Sequence, residues 1–347
     1  MAAKALIGMS GGVDSSVAAY LTAQAGYECV GATMKLHITD GNDVMDARNV
    51  AHRMDIPFHI FDFSDTFCAL VKDDFVRTYE QGLTPNPCIT CNRHLKFGAF
   101  LHRALDLGYD KIVTGHYARI TAGENGRYLL QKAVDADKDQ TYFLYCLTQH
   151  QLSHTLFPLG ELTKQAVREI AEAQGFINAK KRDSQDICFV PDGDYLAFMQ
   201  RHTGKTYPAG NFLDQNGKVV GKHNGAVGYT IGQRKGLGLA MGAPVYVCGK
   251  DMAANTVTIG PNDALFHTTL VADNWNWISI ETLTEPMRVK AKARSRMVEQ
   301  PATVYPMENG LARVVFDEPQ RAITPGQAVV LYDGDIVVGG GTILGTE

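Results

Sequence analysis

The chain has 347 residues, 45% hydrophobic and 20% charged, with a formal net charge of −4. That length calls for two or three domains, and the charge balance leaves any nucleic-acid partner to depend on local basic residues. No run reaches the roughly 18 to 20 apolar residues that span a bilayer, the start MAAKALIGMSGG lacks the features of a signal peptide, and seven scattered cysteines then predict a reducing, cytoplasmic setting without a membrane partner.

Along the first two hundred residues, short apolar runs alternate with helical patterns. Lys4 to Met9 predicts a strand, the Ser-Gly-Gly that follows a loop, and Asp14 to Ala25 a helix stopped by Gly26. Glu28 to Met34 reads as a strand, Asp43 to Met54 as a helix and Phe58 to Phe63 as a third strand. Lys111 to Thr114 is a further strand, ending at Gly115-His116. This rhythm predicts an α/β fold with a parallel sheet, its ligand beyond the carboxyl ends of the strands. Past about Thr203 the texture changes to short β-type runs punctuated by Gly, Pro and Asn, such as PVYVCGKD and NTVTIGP. They predict small β domains or a barrel, continuing from about Val271 to the end.

The loop GMSGGVDSSV, residues 8–17, joins the first strand to the first helix. Its glycines allow close backbone approach, and amides converging at a helix N-terminus favour an anion such as phosphate. A bare SGG is also an ordinary turn. The full SGGVDSS after an N-terminal strand is more specific and matches neither a Walker loop nor GxGxxG. It resembles the PP-loop of ATP pyrophosphatases, which implies ATP with Mg2+ and an adenylated intermediate. On that resemblance Gly8, Met9, Ser10, Gly11, Gly12, Val13, Asp14 and Ser15 hold the phosphates, with Met34 and Gly115 as adenine contacts.

TPNPCITCN (84–92), TGHYAR (114–119), KDQTYFLYCL (138–147), DSQDICF (183–189), YTIGQRKGLG (229–238) and TPGQAVVLY (324–332) follow in one order. Together they resemble the tRNA-specific 2-thiouridylase family over essentially the whole chain. The resemblance implies a PP-loop domain over 1–203, a small central β-rich domain over 204–270 and a C-terminal tRNA-binding β-barrel over 271–347. It also implies thiolation of the wobble uridine in the anticodon arm of tRNA. Adenylation would turn the poorly reactive C2 oxygen into part of a leaving group, and sulfur would then attack C2. In the family, the position of Cys188 carries a persulfide received from a sulfur-relay protein or cysteine desulfurase. The position of Cys91 helps release the sulfur and ends in a disulfide with it. Cys29, Cys68, Cys146 and Cys248 lie among apolar neighbours and read as core thiols.

Many family members have aspartate, a general acid/base, where this chain has Cys88. A thiol of pKa ~8.5 replaces that carboxyl of pKa ~3.9 poorly. Either Cys88 stands in for the acid while another group or water moves protons, or Cys88, Cys91 and Cys188 hold a 4Fe–4S cluster. Asn86 and Pro87, with Cys88, are expected to line the target-base pocket. His116, Lys138, Asp139, Gln140, Arg294, Ser295 and Gln327 match tRNA-contact positions of the family. His94 and Lys96 are candidates to depress the Cys91 pKa, and Lys180, Lys181 and Arg182 to meet phosphate.

In RVKAKARSR (288–296) the basic residues recur at every second position, which on a strand places all five on one face. Such a face suits an anionic partner, although charge also guards strand edges. The competing functions are a small-molecule PP-loop ligase or amidotransferase, which needs neither distant cysteines nor a basic face, and a non-catalytic RNA-binding module, which leaves SGGVDSS without a purpose.

Overall fold

The computed structural model describes residues 2–36, 42–181 and 187–347. Its first strand, β1 (Lys4–Gly8), is central, and alternate residues feed two cores: Leu6 packs on one face of the sheet, Ala5 and Ile7 on the other. An uninterrupted apolar run is what a strand covered on both faces needs. Next come α1 (Val13–Gln24), β2 (Glu28–Lys35), α2 (Asn42–Arg53) and β3 (Phe58–Asp62). The following helical stretch is α3 (Ser64–Phe67), a π turn at Cys68–Lys72, and α4 (Asp73–Glu80). A second broken helix comprises α5 (Pro87–Cys91), a π segment at Asn92–Ala99 and α6 (Phe100–Asp106). The domain continues through β4 (Lys111–Val113), β5 (Arg119–Ala122), β6 (Tyr128–Gln131), α7 (Thr141–Leu144), α8 (Gln149–Ser153), β7 (Thr155–Leu156) and α9 (Lys164–Ala173). Its parallel sheet runs β3-β2-β1-β4-β7.

Helix α10 (Tyr195–Thr203) stops at Gly204, whose φ of +70° is the left-handed conformation that glycine adopts cheaply. The central sheet, ordered β10-β11-β8-β9, contains β8 (Gly210–Leu213), β9 (Val219–His223), β10 (Tyr246–Asp251) and β11 (Thr256–Gly260). The last six strands are β12 (Phe266–Trp277), β13 (Met287–Lys292), β14 (Gln300–Pro306), β15 (Ala312–Arg321), β16 (Ala328–Asp333) and β17 (Ile336–Thr346). They run β12-β15-β14-β13-β16-β17 and close through β12–β17, so the barrel has no free edge.

Two features depart from the sequence pattern. The β5–β6 hairpin leaves the parallel sheet and extends the barrel sheet, pairing Gln131 with Ile336. Arg127 from the turn donates to the carbonyl of Ile278 at 2.9 Å, and Lys132 pairs with Glu299 at 2.8 Å. Leu6, Phe100 and Leu130 consequently share one core with Ile278, Val330 and Val337. The second departure concerns the basic run, whose strand β13 ends at Lys292. Arg288 and Lys290 are exposed, and Arg288 is bridged to Asp317. The chain then turns, and Arg294 points towards the carbonyl of Ile231 in the central domain. Five basic residues therefore do not share one face: the alternation continues in the sequence after the backbone has left the strand.

Candidate functional site

The glycine loop presents an open helix end. Gly12 occupies the N-cap of α1 with no side chain bonding the first-turn amides, which leaves them available to an anion. The loop's shape is held from within and from outside. Gly11 has φ +77°, the Ser15 hydroxyl donates to the Gly12 carbonyl at 3.0 Å and the Ser10 amide donates to Ser15 Oγ at 3.1 Å. Asn178 Nδ2 reaches the Gly11 carbonyl at 3.0 Å and Ser16 Oγ at 2.9 Å. Asp14 is the second residue of α1. Its carboxylate accepts from Lys164 Nζ at 2.7 and 2.8 Å and from the Tyr117 hydroxyl at 2.9 Å. These contacts tie the start of α1 to Lys164 and Tyr117. Gly115 packs against the Asp14–Ser15 peptide with no room for a side chain, and Met34 is partly buried beside the core near the end of β2.

Lys181 donates to the Gly11 carbonyl at 3.3 Å and to Asp43 and Asp46, each at 2.7 Å. Burial opposes its charge, but the two carboxylates prevail and hold its pKa above the ordinary lysine value. It therefore serves the loop and α2, while Lys180 is exposed and Arg182 lies outside the described residues. Lys181 and Asp43 line a cavity of ≈ 1180 Å³ whose wall also carries Lys35, Lys72 and Cys188. Of DSQDICF, only Ile187, Cys188 and Phe189 are described.

The three motif cysteines converge. Asn86 caps α5 by accepting from the Ile89 amide at 3.4 Å, with Pro87 in the first turn. This orientation leaves Cys88 exposed and buries Cys91 beside Phe67, Val71 and Leu95. Phe189 anchors the opposite loop among Phe67, Phe75 and Phe198, with ring centroids 5.0–5.7 Å away, which leaves Cys188 exposed. All three thiols are free. Desolvation raises the pKa of each, and that of Cys91 to about 11. Cys91 is raised further by Cys188 and Cys88, while Lys96 pulls all three down. His94 is itself lowered by burial and by Arg93; Lys96 acts on all three thiols, and Lys72 on Cys188 as well. The Lys96 ammonium lies 3.5 Å from His116 Nε2, and His116 Nδ1 lies 2.8 Å from Thr114 Oγ1. Those contacts fit a neutral ring that accepts at Nε2 and donates at Nδ1. Burial, then Lys96, hold its pKa well below the usual histidine value.

Because Lys96 favours the thiolate, Lys96→Met is expected to move the pH profile of Cys188 alkylation by iodoacetamide to higher pH. Labelling near pH 7.5 should fall by a factor of about 3 to 10, since one pKa unit is tenfold in thiolate fraction below the pKa. Mass spectrometry of the labelled peptide reads this out, and an unmoved profile would remove Lys96 from the role.

Several residues expected to meet tRNA also make hydrogen bonds within the protein. Asp139 accepts from the Ala133 amide at 3.1 Å and the Thr141 hydroxyl at 2.6 Å, and Gln140 Oε1 accepts from the Tyr117 amide at 2.9 Å. Lys138 is partly buried, Ser295 lies in the turn after β13, and the His116 ring packs against Phe97 and Phe157. Arg294 donates to the Ile231 carbonyl at 2.9 Å and to Thr324 Oγ1. Gln327 Nε2 donates to the carbonyls of Thr84 and Pro85 at 3.1 and 3.0 Å, and the Thr84 amide donates to Pro325 at 2.9 Å. The barrel loop TPGQ thus clamps the TPNP turn that positions Cys88 and Cys91, and Arg294 ties that loop to the central domain. Sequence reading missed this clamp; its only trace was the recurrence of TP-containing turns in two distant motifs.

A parallel sheet with open amides after its first strand, an exposed thiol on the wall of an adjoining cavity, and two attached β domains define a nucleotide-binding α/β protein of the PP-loop kind. The model of a tRNA methyl transferase HUP domain matches residues 3–192, that of a tRNA methyl transferase PRC-barrel domain 196–261, and that of an aminomethyltransferase β-barrel domain 267–343. The chain is 50% identical over 352 residues to the tRNA-specific 2-thiouridylase MnmA of Clostridioides difficile (strain 630), covering 98% of both chains. It is also 50% identical to the protein of that name from Acetivibrio thermocellus, covering 98% of this chain and 99% of that one. Among solved structures, a 4-thiouridine synthetase in complex with RNA and bound ATP aligns at 15% identity and a TM-score of 0.38, covering 58% of this chain and 50% of that one. The chain belongs to the tRNA-specific 2-thiouridylase family.

Proposed function

We propose that the protein is an ATP-dependent tRNA-uridine 2-sulfurtransferase that acts on the wobble uridine in the cytoplasm. The observation that carries this reading is that Lys181 both touches the glycine loop and lines the cavity that Cys188 faces. Nucleotide and sulfur can then meet at one base. The open amides at α1 hold the phosphates of ATP, with Mg2+ neutralising charge on them. The uridine C2 oxygen attacks the α-phosphorus and pyrophosphate leaves. The terminal sulfur of a Cys188 persulfide attacks C2, and AMP departs as the C2–O bond breaks. The Cys91 thiolate then attacks Cys188 Sγ, breaking the S–S bond. The outer sulfur keeps that electron pair as the C2 thione, and Cys91 and Cys188 end as a disulfide to be reduced by a thiol donor. The persulfide comes from a sulfur-relay protein or cysteine desulfurase. The base must leave its stack to expose C2 to this cavity.

Incubation with ATP, a persulfide source and unmodified tRNA is expected to give a thiolated uridine that retards the tRNA on an organomercury gel. Absence of retardation under every sulfur supply overturns the reading. A second reading starts from the proximity by which Cys88 and Cys188 each raise the Cys91 thiol: the three hold a 4Fe–4S cluster. Full turnover by iron-free protein eliminates it, and a stoichiometric brown chromophore required for activity establishes it.

No described helix is long and apolar enough to cross a membrane.

A further inference from the structure

Cys68 reads from the sequence as a core thiol, yet it is only partly buried and stands beside two other ligand-type side chains. We propose that Cys68, Asp73 and His202 form a binding site for one zinc-class divalent cation, separate from the thiols of the sulfur-transfer site. The sulfur of Cys68, a carboxylate oxygen of Asp73 and a ring nitrogen of His202 all lie within 4.8 Å of one another.

The π turn creates this arrangement. The Asp73 amide donates to the Cys68 carbonyl across five residues, which brings the two side chains towards one face. Five α-helical steps of about 100° would leave them about 140° apart. His202, in the last turn of α10, meets them from the other side and bonds Asp73 Oδ1 at 2.6 Å. With metal bonds of ~2.0–2.3 Å, tetrahedral ligands sit about 3.5 Å apart, so side-chain adjustment around an ion suffices. A thiolate and a carboxylate supply two negative charges for a dication, and neutral imidazole is the third donor. Sulfur, nitrogen and oxygen donors together favour zinc over magnesium or calcium. Water fills the remaining position, and the Cys68 proton passes to solvent as the bond forms.

The site would brace the sulfur loop. The His202 ring stacks on Phe198 at 5.4 Å and 16°, and Phe198 packs on Phe189, the neighbour of Cys188. A bound ion would join α10 to the α3–α4 stretch across the aromatic cluster that seats Phe189.

The test uses chelator-treated full-length protein titrated with Co2+. The expected result is a near-ultraviolet thiolate-to-cobalt absorption saturating at one ion per chain and abolished by Zn2+. It should be lost in Cys68→Ser and retained in a Cys91→Ser/Cys188→Ser double variant. In the wild-type protein, Zn2+ should also slow alkylation of Cys68 at least tenfold, a readout independent of whether Cys68→Ser folds. No cobalt–thiolate absorption, or absorption that survives Cys68→Ser and vanishes from the double variant, overturns the proposal.

Discussion

Cys188→Ser and Cys91→Ser are each expected to reduce tRNA thiolation by on the order of 10³-fold or more, while ATP binding stays within about twofold of wild type. Serine preserves shape, but its hydroxyl neither forms a persulfide nor reaches the anionic state near neutral pH. The two variants should fail at different stages. Cys188→Ser never loads sulfur, so no persulfide appears at that position by mass spectrometry. Cys91→Ser still loads Cys188, which is exposed, but cannot resolve the S–S bond. It should therefore accumulate loaded enzyme, or a tRNA adduct, in a single turnover. The resting positions agree with this order: Cys188 faces the cavity, while Cys91 is buried and its thiol is pushed up to about 11. As pH rises, the thiolate fraction of each rises, so single-turnover thiolation by the wild type should increase from pH 6 to 9. Wild-type turnover by either variant would remove the pair from the mechanism.

Cys88 separates the remaining possibilities. Cys88→Asp introduces the carboxylate that the family resemblance leads one to expect there. Under the persulfide route its activity should match or exceed wild type, because a carboxyl exchanges protons near neutral pH more readily than a raised thiol. Under the cluster route it should lose the chromophore and activity together.

The parts legible from the sequence were those governed by local chemistry. The run Ala5-Leu6-Ile7 announced a buried strand, SGG an anion-ready turn, and Gly26 a helix stop. The illegible parts depend on contacts between distant segments. Nothing near Gln131 shows that it pairs with Ile336. The alternation in RVKAKARSR predicts side-chain direction only while the backbone stays extended; beyond Lys292 a turn redirects Arg294 towards Ile231 and Thr324. The π turns at Cys68–Lys72 and Asn92–Ala99 each insert a residue into a pattern that otherwise reads as continuous helix. The partner of Asp14 was hidden for a related reason. Its place in SGGVDSS points towards phosphate, but Lys164, 150 residues away, had already claimed its carboxylate.

Gly115→Ala should disable the nucleotide site from beneath it. A Cβ there would stand 2.7 Å from both the Asp14 carbonyl carbon and the Ser15 amide nitrogen. Both are backbone atoms, so no side-chain rotation relieves the clash. The start of α1 cannot simply lift away either. Asp14 is held by Lys164 and Tyr117, and Ser16 by Asn178. Lys164 and Asp14 are mostly shielded, with side-chain exposures of 11% and 29%, and separating such a pair leaves a poorly solvated charge. Overpacking of this kind costs about 1–3 kcal/mol, whether it appears as lost stability or as displaced amides. ATP affinity is accordingly expected to fall about 5- to 150-fold, measured by calorimetry, with thiolation falling in parallel and recovering partly at high ATP. Gly345→Ala is the control, because nothing lies within 4 Å of its added carbon; it should bind ATP and melt as wild type does. If Gly115→Ala binds ATP with wild-type affinity, the α1 N-terminus is not where the nucleotide's phosphates are held.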